Sequence, residues 1–454
     1  MDKNAIENIR KKTRMPTKIK SYKIEKELYK ISNGYIYVGT NLNINEKVFI
    51  KIYIKEMILH KPDELVLINN EIFMMKLMNH KNILKLYEII ESPSFIFLIM
   101  EYVSGSKLSE FISRKKKLNE DEGFNIYKQL LSVLLYIHDM NIGHLNLNTN
   151  NILIDNSNNI KICDFRHSIY YSSNERTKCD SIGEETSFLS PELCSKKTCF
   201  PELSDVWSTG VIFYLLLVGE LPFYSQNELD LEKLIMRAEF KLPTSMNKAL
   251  QDLFKKIFEE KEENRFNLDK IFSSIYFKQK KISKHSLPCG LNALSVKYPI
   301  DERVMNIMKT QFDLDPENIK QKLYDNIFDP QTSLYKQIIN KFISKKVTND
   351  ADMTSKKYTN YINNEKNYFD AEIQKKNIQN SLNKEMDLKD TSKEKKNDIL
   401  FNQENALVQL DELLKRYKDP EYNAEYEKER GSKSVDKAKK KSRKRERKRE
   451  TERN

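Results

Sequence analysis

Asp205-Val206-Trp207-Ser208-Thr209-Gly210 decides how this chain is read. It opens a helical pattern over 206–218, and no cheap alternative accounts for it. Upstream stand Ser190-Pro191-Glu192, then Asp164-Phe165-Arg166, then His144-Leu145-Asn146 with Asn151 five residues after Asn146. Further back, Met100-Glu101-Tyr102-Val103 closes a strand-like run, and Glu71 lies in the helical stretch Asn70-Glu71-Ile72-Phe73. Val48-Phe49-Ile50-Lys51 ends another strand, and downstream of the opening stretch stands Arg265. Short β-rich runs (35–38, 48–54, 96–100) come first and longer helical patterns (124–139, 206–218) follow, which predicts a small sheet lobe joined to a larger helical lobe.

Each signal alone is weak. Together, in this fixed order from Lys51 to Arg265, they resemble the eukaryotic protein kinase domain of the Ser/Thr type. The resemblance implies an α+β bilobal fold over 22–278 that uses ATP and Mg²⁺. It implies that Lys51 holds the α and β phosphates, that Glu71 pairs with it, and that Gly34, Glu101, Val103 and Leu153 line the nucleotide pocket. Asp164 and Asn151 would be the metal ligands, Glu192 and Arg265 a structural pair, and Asp205 the brace of the catalytic loop.

The departures from that pattern carry more information. Asn146 stands where the family has its catalytic aspartate, and an amide does not accept the substrate hydroxyl's proton. Asn148 replaces the lysine that neutralises the γ-phosphate. The glycine-loop positions read Tyr29, Ile31 and Gly34, so two of three are bulky. Phe49 replaces the small residue against the adenine, Arg166 the glycine after Asp164-Phe165, and Leu145 the arginine that reads activation-loop phosphate. Lys51, Glu71, Asp164 and Asn151 argue for a bound nucleotide. Phe49, Tyr29 and Ile31 argue against it, and the balance favours weak or absent binding. Lys51, Glu71 and Asp164 also have a ligand-free reading, as a salt-bridge network between the lobes. The expectation is a pseudokinase acting as scaffold or allosteric partner, with a working Ser/Thr kinase as the alternative.

The remaining chain is read from composition. With 454 residues, of which 39% are hydrophobic, it is long enough for one catalytic-size domain plus extensions. The longest apolar run, 211–218, is less than half of what spans a bilayer, and the start Met1-Asp2-Lys3-Asn4 lacks a signal peptide's apolar core. The expectation is a cytoplasmic or nuclear protein without a membrane partner. Five cysteines without a C-x-x-C pair argue against a disulfide framework and a structural zinc. Residues 433–454 carry twelve Lys or Arg against four acids, so eight of the twelve net positive charges sit there. That tail reads as a nuclear-localisation, nucleic-acid or acidic-surface arm, or as a solvated terminus.

Residues 1–21 are expected to be a disordered arm and 279–297 a linker. Asp315-Pro316 and Asp329-Pro330 each place a cap before a proline, and Val304/Ile307/Met308, Ile319/Leu323 and Leu334/Ile338/Phe342 recur near helical spacing. Residues 298–343 therefore read as three short helices. They resemble the ubiquitin-associated-like domain that follows the kinase domain, and packs on it, in the AMP-activated protein kinase group. Residues 344–454 read as a disordered charged tail, with a docking helix over 398–417.

Overall fold

The computed structural model describes residues 9, 13–58, 61–172, 176–179, 183, 185–195, 198–287, 300–325 and 327–349. The expected 398–417 helix, the 433–454 basic arm and most of the expected linker lie outside the described residues. Chain contacts define a first unit, Met1–Phe342, and a second, Ile343–Asn454, described only as helical backbone to Asn349.

The small lobe is built on the strand that carries Lys51. Along β4 (Glu46–Ile54), Val48, Ile50, Ile52 and Ile54 enter one apolar cluster, and Phe49 and Tyr53 enter another on the opposite face. Around it, β1 (Lys18–Ile19), β2 (Tyr22–Ile31), β3 (Gly34–Asn41), β5 (Leu86–Glu91) and β6 (Phe95–Glu101) form an antiparallel sheet in the order β1-β2-β3-β4-β6-β5. After the short α1 (Lys55–Ile58), α2 (Pro62–Leu77) starts on proline with Asp63 and Glu64 in its first turn, where the helix dipole favours acids. Residues 13–21 are not the expected arm. Lys18–Ile19 pairs with β2, while Ile9 is buried and Met15 and Ile19 pack on the same cluster. Isolated apolar residues without a period gave no sign of this.

The large lobe runs through β7 (Gly105–Lys107), α3 (Leu108–Lys115), α4 (Glu120–Asp139), β8 (Ile142–Gly143), β9 (Ile152–Asp155), β10 (Ile160–Ile162), β11 (Ile169–Tyr170) and β12 (Thr177–Lys178). It continues through α5 (Pro191–Cys194), β13 (Thr198–Cys199), α6 (Pro201–Val218), α7 (Glu228–Met236), α8 (Lys248–Ile257), α9 (Leu268–Ser273) and α10 (Ile275–Gln279). An Asn119/Glu122 capping box starts α4, and Gly219, at φ +87°, ends α6 in the left-handed conformation that glycine adopts freely. The two helices meet through Tyr127 and Phe213, stacked at 4.1 Å. Among the described residues α6 alone is long and apolar enough to cross a membrane, and it lies in this core. Beyond α10, Ile282 and Leu287 pack back on the core, so the first part of the expected linker belongs to the lobe.

Arg265 and Glu192 form a buried forked pair at 2.7 and 3.0 Å, and the guanidinium lies 4.9 Å over Trp207. Burial works against the Glu192 charge. Arg265 more than offsets it and holds the carboxyl below its ordinary range.

Three further helices follow: α11 (Glu302–Phe312), α12 (Pro316–Tyr324) and α13 (Pro330–Asn349). The carboxylates of Asp315 and Asp329 accept the first free N–H groups of α12 and α13, as the Asp-Pro pattern predicts. Val304, Met308, Ile319, Leu323, Leu334 and Ile338 close the bundle core. Helix α13 then lies against the small lobe through buried polar contacts. The Tyr22 hydroxyl is the hub: it donates to Glu88 Oε2 (3.0 Å), bonds Ser333 Oγ (2.9 Å) and accepts from Gln337 Nε2 (3.1 Å). Asn41 donates to Gln337 at 3.0 Å, Lys85 to Asn340 at 2.7 Å, and Asn340 to Tyr87 at 2.5 Å.

Two outcomes follow from this contact. Tyr22→Phe removes one hydrogen bond from each of three buried partners and is expected to cost about 1–3 kcal/mol in urea unfolding. Lys336, buried with its ammonium 3.3 Å from the Phe328 ring centre, is pushed by burial down to about 7. Its folded value lies below the unfolded one, so between pH 7 and about 10 the unfolded chain binds more protons and stability rises with pH. A pH series of melting temperatures should show that rise, and Lys336→Met should flatten it.

Candidate functional site

The site begins with a strand and a helix facing each other. Strand alternation turns Lys51 away from Ile50 and Ile52, between Ile36 on β3 and Leu98 on β6. Its ammonium donates to Glu71 Oε1 on α2 at 2.6 Å, both side chains being buried. The Tyr53 hydroxyl donates to Glu71 Oε2 at 2.5 Å, so both carboxylate oxygens are engaged. Sequence reasoning missed Tyr53. Its position two residues after Lys51 on the same strand face was the available signal.

The catalytic-loop position is set from below by Asp205. This fully buried carboxylate accepts from the His144 N–H (2.8 Å), the Leu145 N–H (2.9 Å) and the His138 ring (3.0 Å). Those bonds hold Leu145 at φ +57°, a left-handed conformation unusual for leucine. The three asparagines above turn inward on one another. Asn148 Nδ2 donates to Asn146 Oδ1 at 3.1 Å and to its carbonyl at 3.3 Å, and Asn148 Oδ1 accepts the N–H groups of Asn150 and Asn151 at 2.9 and 3.1 Å. Asn151 Nδ2 donates to the Asn146 carbonyl at 3.0 Å. A methyl group at Gly183 would fall 2.2 Å from Asn146 Oδ1, so the backbone there lies against that carboxamide.

Asp164 sits at φ +65°, and its carboxylate faces Arg166. Arg166 Nε donates to Oδ1 at 2.7 Å and Nη2 to Oδ2 at 2.9 Å. Asn70 on α2 donates to the carbonyls of Arg166 (2.8 Å) and Ser168 (2.6 Å), fixing the segment that carries the arginine. Burial opposes the Asp164 charge, but Lys51 and Arg166 outweigh it and hold the carboxyl far below its ordinary range. Lys51, Glu71, Asp164 and Arg166 thus form a cluster of two cations and two anions.

Phe49 is 8% exposed and its ring lies 5.0 Å from that of Tyr102, where the chain passes between the lobes. The Val103 carbonyl accepts from the Gly105 N–H at 3.0 Å. The Glu101 carboxylate accepts from Lys161 at 2.8 Å. Leu153 and Ile31 pack against the main apolar core. Tyr29 reaches across to α3, donating to Glu110 at 2.9 Å, and Lys107 lies 4.3 Å over its ring. Burial, and then Glu110, push the Tyr29 hydroxyl up to about 12. Gly34 pairs with Tyr53 across the β3–β4 ladder. A Cβ there would lie 1.8 Å from the Ile52 carbonyl oxygen. The close β3–β4 approach by itself therefore requires glycine.

Leu145, in place of the phosphate-reading arginine, enters a small apolar cluster with Cys179, Leu189, Leu193 and Cys199. The Cys179 and Cys199 thiols touch at 2.8 Å, and Arg176 pairs with Glu262 at 2.6 Å. Apolar contact, the pairing of Thr177–Lys178 with Thr198–Cys199 and the Arg176 ion pair hold residues 176–179. Leu145→Arg places an uncompensated charge in this cluster and is expected to cost about 3 kcal/mol or more in denaturant unfolding.

Comparison with known proteins agrees with this geometry. CBL-interacting protein kinase 11 of Oryza sativa subsp. japonica is 30% identical over 263 residues, covering 57% of this chain and 51% of its own. CBL-interacting protein kinase 2 of the same organism is 30% identical over 302 residues, 65% of each chain. A probable serine/threonine-protein kinase of Dictyostelium discoideum is 33% identical over 256 residues, 56% of this chain and 30% of its own. The chain thus spans about half to two thirds of the rice relatives' length. The family described as "Protein kinase domain" matches residues 22–277, more than half of the chain and every residue of the site, and the chain belongs to the Ser/Thr protein kinase family.

Proposed function

We propose that this chain is a catalytically impaired protein kinase that acts as a scaffold or allosteric partner for other proteins. The observation that carries the reading is the Asn146–Asn148 contact at 3.1 Å: the two positions that would move a proton and neutralise a phosphate hold amides engaged with each other. A general base contributes roughly 10²–10⁴ in rate. A preorganised charge contact contributes about 10²–10³. The two need not multiply, since groups that act as a unit are not additive. Either loss alone takes a kinase far below the usual turnover of about 1–100 s⁻¹.

Protein kinases generally use ATP and Mg²⁺. The residues here fit that pair poorly. Phe49 packs on Tyr102 in the adenine slot, Tyr29 bridges the mouth to Glu110, and both oxygens of Asp164 face Arg166. We therefore read Lys51, Glu71 and Asp164 as a structural network between the lobes. The 298–343 unit we read as ubiquitin-associated-like, on the support of its three helices and the seat of α13 on β2, β3 and β5. The rice relatives carry an interacting protein in their names, which supports protein partners for this chain as well.

A slow but working kinase is the second reading, favoured by the intact Lys51–Glu71 pair and by the relatives' names. A loose transition state asks little of a base. Transfer of labelled γ-phosphate by the full chain and by Asp164→Ala separates the two. The proposal expects no transfer above the Asp164→Ala level, and no Mg-ATP-dependent rise in melting temperature. Transfer above that level, abolished by Asp164→Ala, would establish the kinase instead.

A further inference from the structure

We propose that Arg166 is a tethered cation in the seat of the divalent metal, so that the cleft is closed to metal by its own chain; this rests on the functional reading above. A metal at Asp164 needs an oxygen of that carboxylate, and Mg²⁺ or Mn²⁺ brings a near-octahedral shell of further oxygens. Both Asp164 oxygens already receive guanidinium N–H groups, at 2.7 and 2.9 Å, and the Arg166 main-chain N–H adds a third donor to Oδ1 at 3.4 Å. A planar fork against a carboxylate is among the strongest ion-pair geometries. The two side chains are only 13% and 15% exposed, so water screens the pair little.

Two features make the arginine hard to displace. It is two residues from its partner, so its local concentration at the carboxylate far exceeds that of any free ion. Its backbone is also anchored, because Asn70 on α2 holds the carbonyls of Arg166 and Ser168. Charge balance points the same way. Lys51 and Arg166 already match Glu71 and Asp164, and a divalent ion would leave a surplus of two positive charges in a buried cleft. The glycine that the family carries at this position has no side chain for such a contact. In this protein Asp164 is a structural anion, and the small lobe stays joined to it without cofactor.

The test is Mn²⁺ binding to the full chain without nucleotide, read by electron paramagnetic resonance of the free ion. Wild type is compared with Arg166→Gln, Arg166→Gly, Asp164→Asn and Arg166→Gln/Asp164→Asn. Removing the fork should create one site about tenfold or more tighter than any Asp164-dependent binding in wild type. The double variant should lose it. A wild-type site that Asp164→Asn removes would overturn the proposal. So would a folded Arg166→Gln protein that gains no site. If Arg166→Gly does not fold, Arg166→Gln carries the comparison, with circular dichroism as its control. The readout needs no turnover, so phosphate transfer by wild type would defeat the functional reading while Mn²⁺ binding still decides this one.

Discussion

A buried charge must be matched, and the cleft between the lobes of this protein is organised around that constraint. The small lobe brings Lys51 and Glu71 together, and the large lobe brings Asp164. Burial in a site so poorly hydrated works against the Asp164 charge. Lys51 and Arg166 together outweigh that cost from within the chain. Tyr53, which donates to Glu71, and Asn70, which holds the arginine's backbone, complete a network reaching from β4 through α2 to the segment after Asp164.

The large lobe solves the same problem at two other places. Asp205 accepts three N–H donors and fixes the loop of asparagines above it, while Glu192 and Arg265 satisfy one another beneath Trp207. The framework that positions a catalytic loop is therefore intact, and the loop it positions holds amides. Where a charged arginine would read a phosphate, Leu145 joins an apolar cluster with Cys179, Leu189, Leu193 and Cys199.

The contact of α13 with the small lobe belongs to the same account. Tyr22, Asn41, Glu88, Ser333 and Gln337 satisfy one another across it, a polar interface whose members must all be present to be favourable. Such an interface fixes register more strictly than an apolar one, because a shifted helix leaves donors and acceptors unmatched.

The sequence by itself determined the order of elements, the identity of the family and the departures at Tyr29, Phe49, Asn146, Asn148 and Arg166. These are matters of residue type at a spacing, and strand and helix periods turn spacing into placement. The caps of α12 and α13 were legible for the same reason, since a cap acts on its nearest neighbours in the chain. Tertiary structure alone decided what each side chain meets. That Tyr29 reaches Glu110, that residues 13–21 join the sheet and that Tyr22 reaches Ser333 all depend on contacts between distant segments. Gly34 shows the limit from the other side: the residue was legible, but only the packing of Ile52 behind it says why it must be glycine. Arg166 and Asp164 are two residues apart, yet the sequence did not pair them. Their fork forms because the backbone at Asp164 turns left-handed and α2 holds the carbonyls beyond it, and both are set by the fold around them.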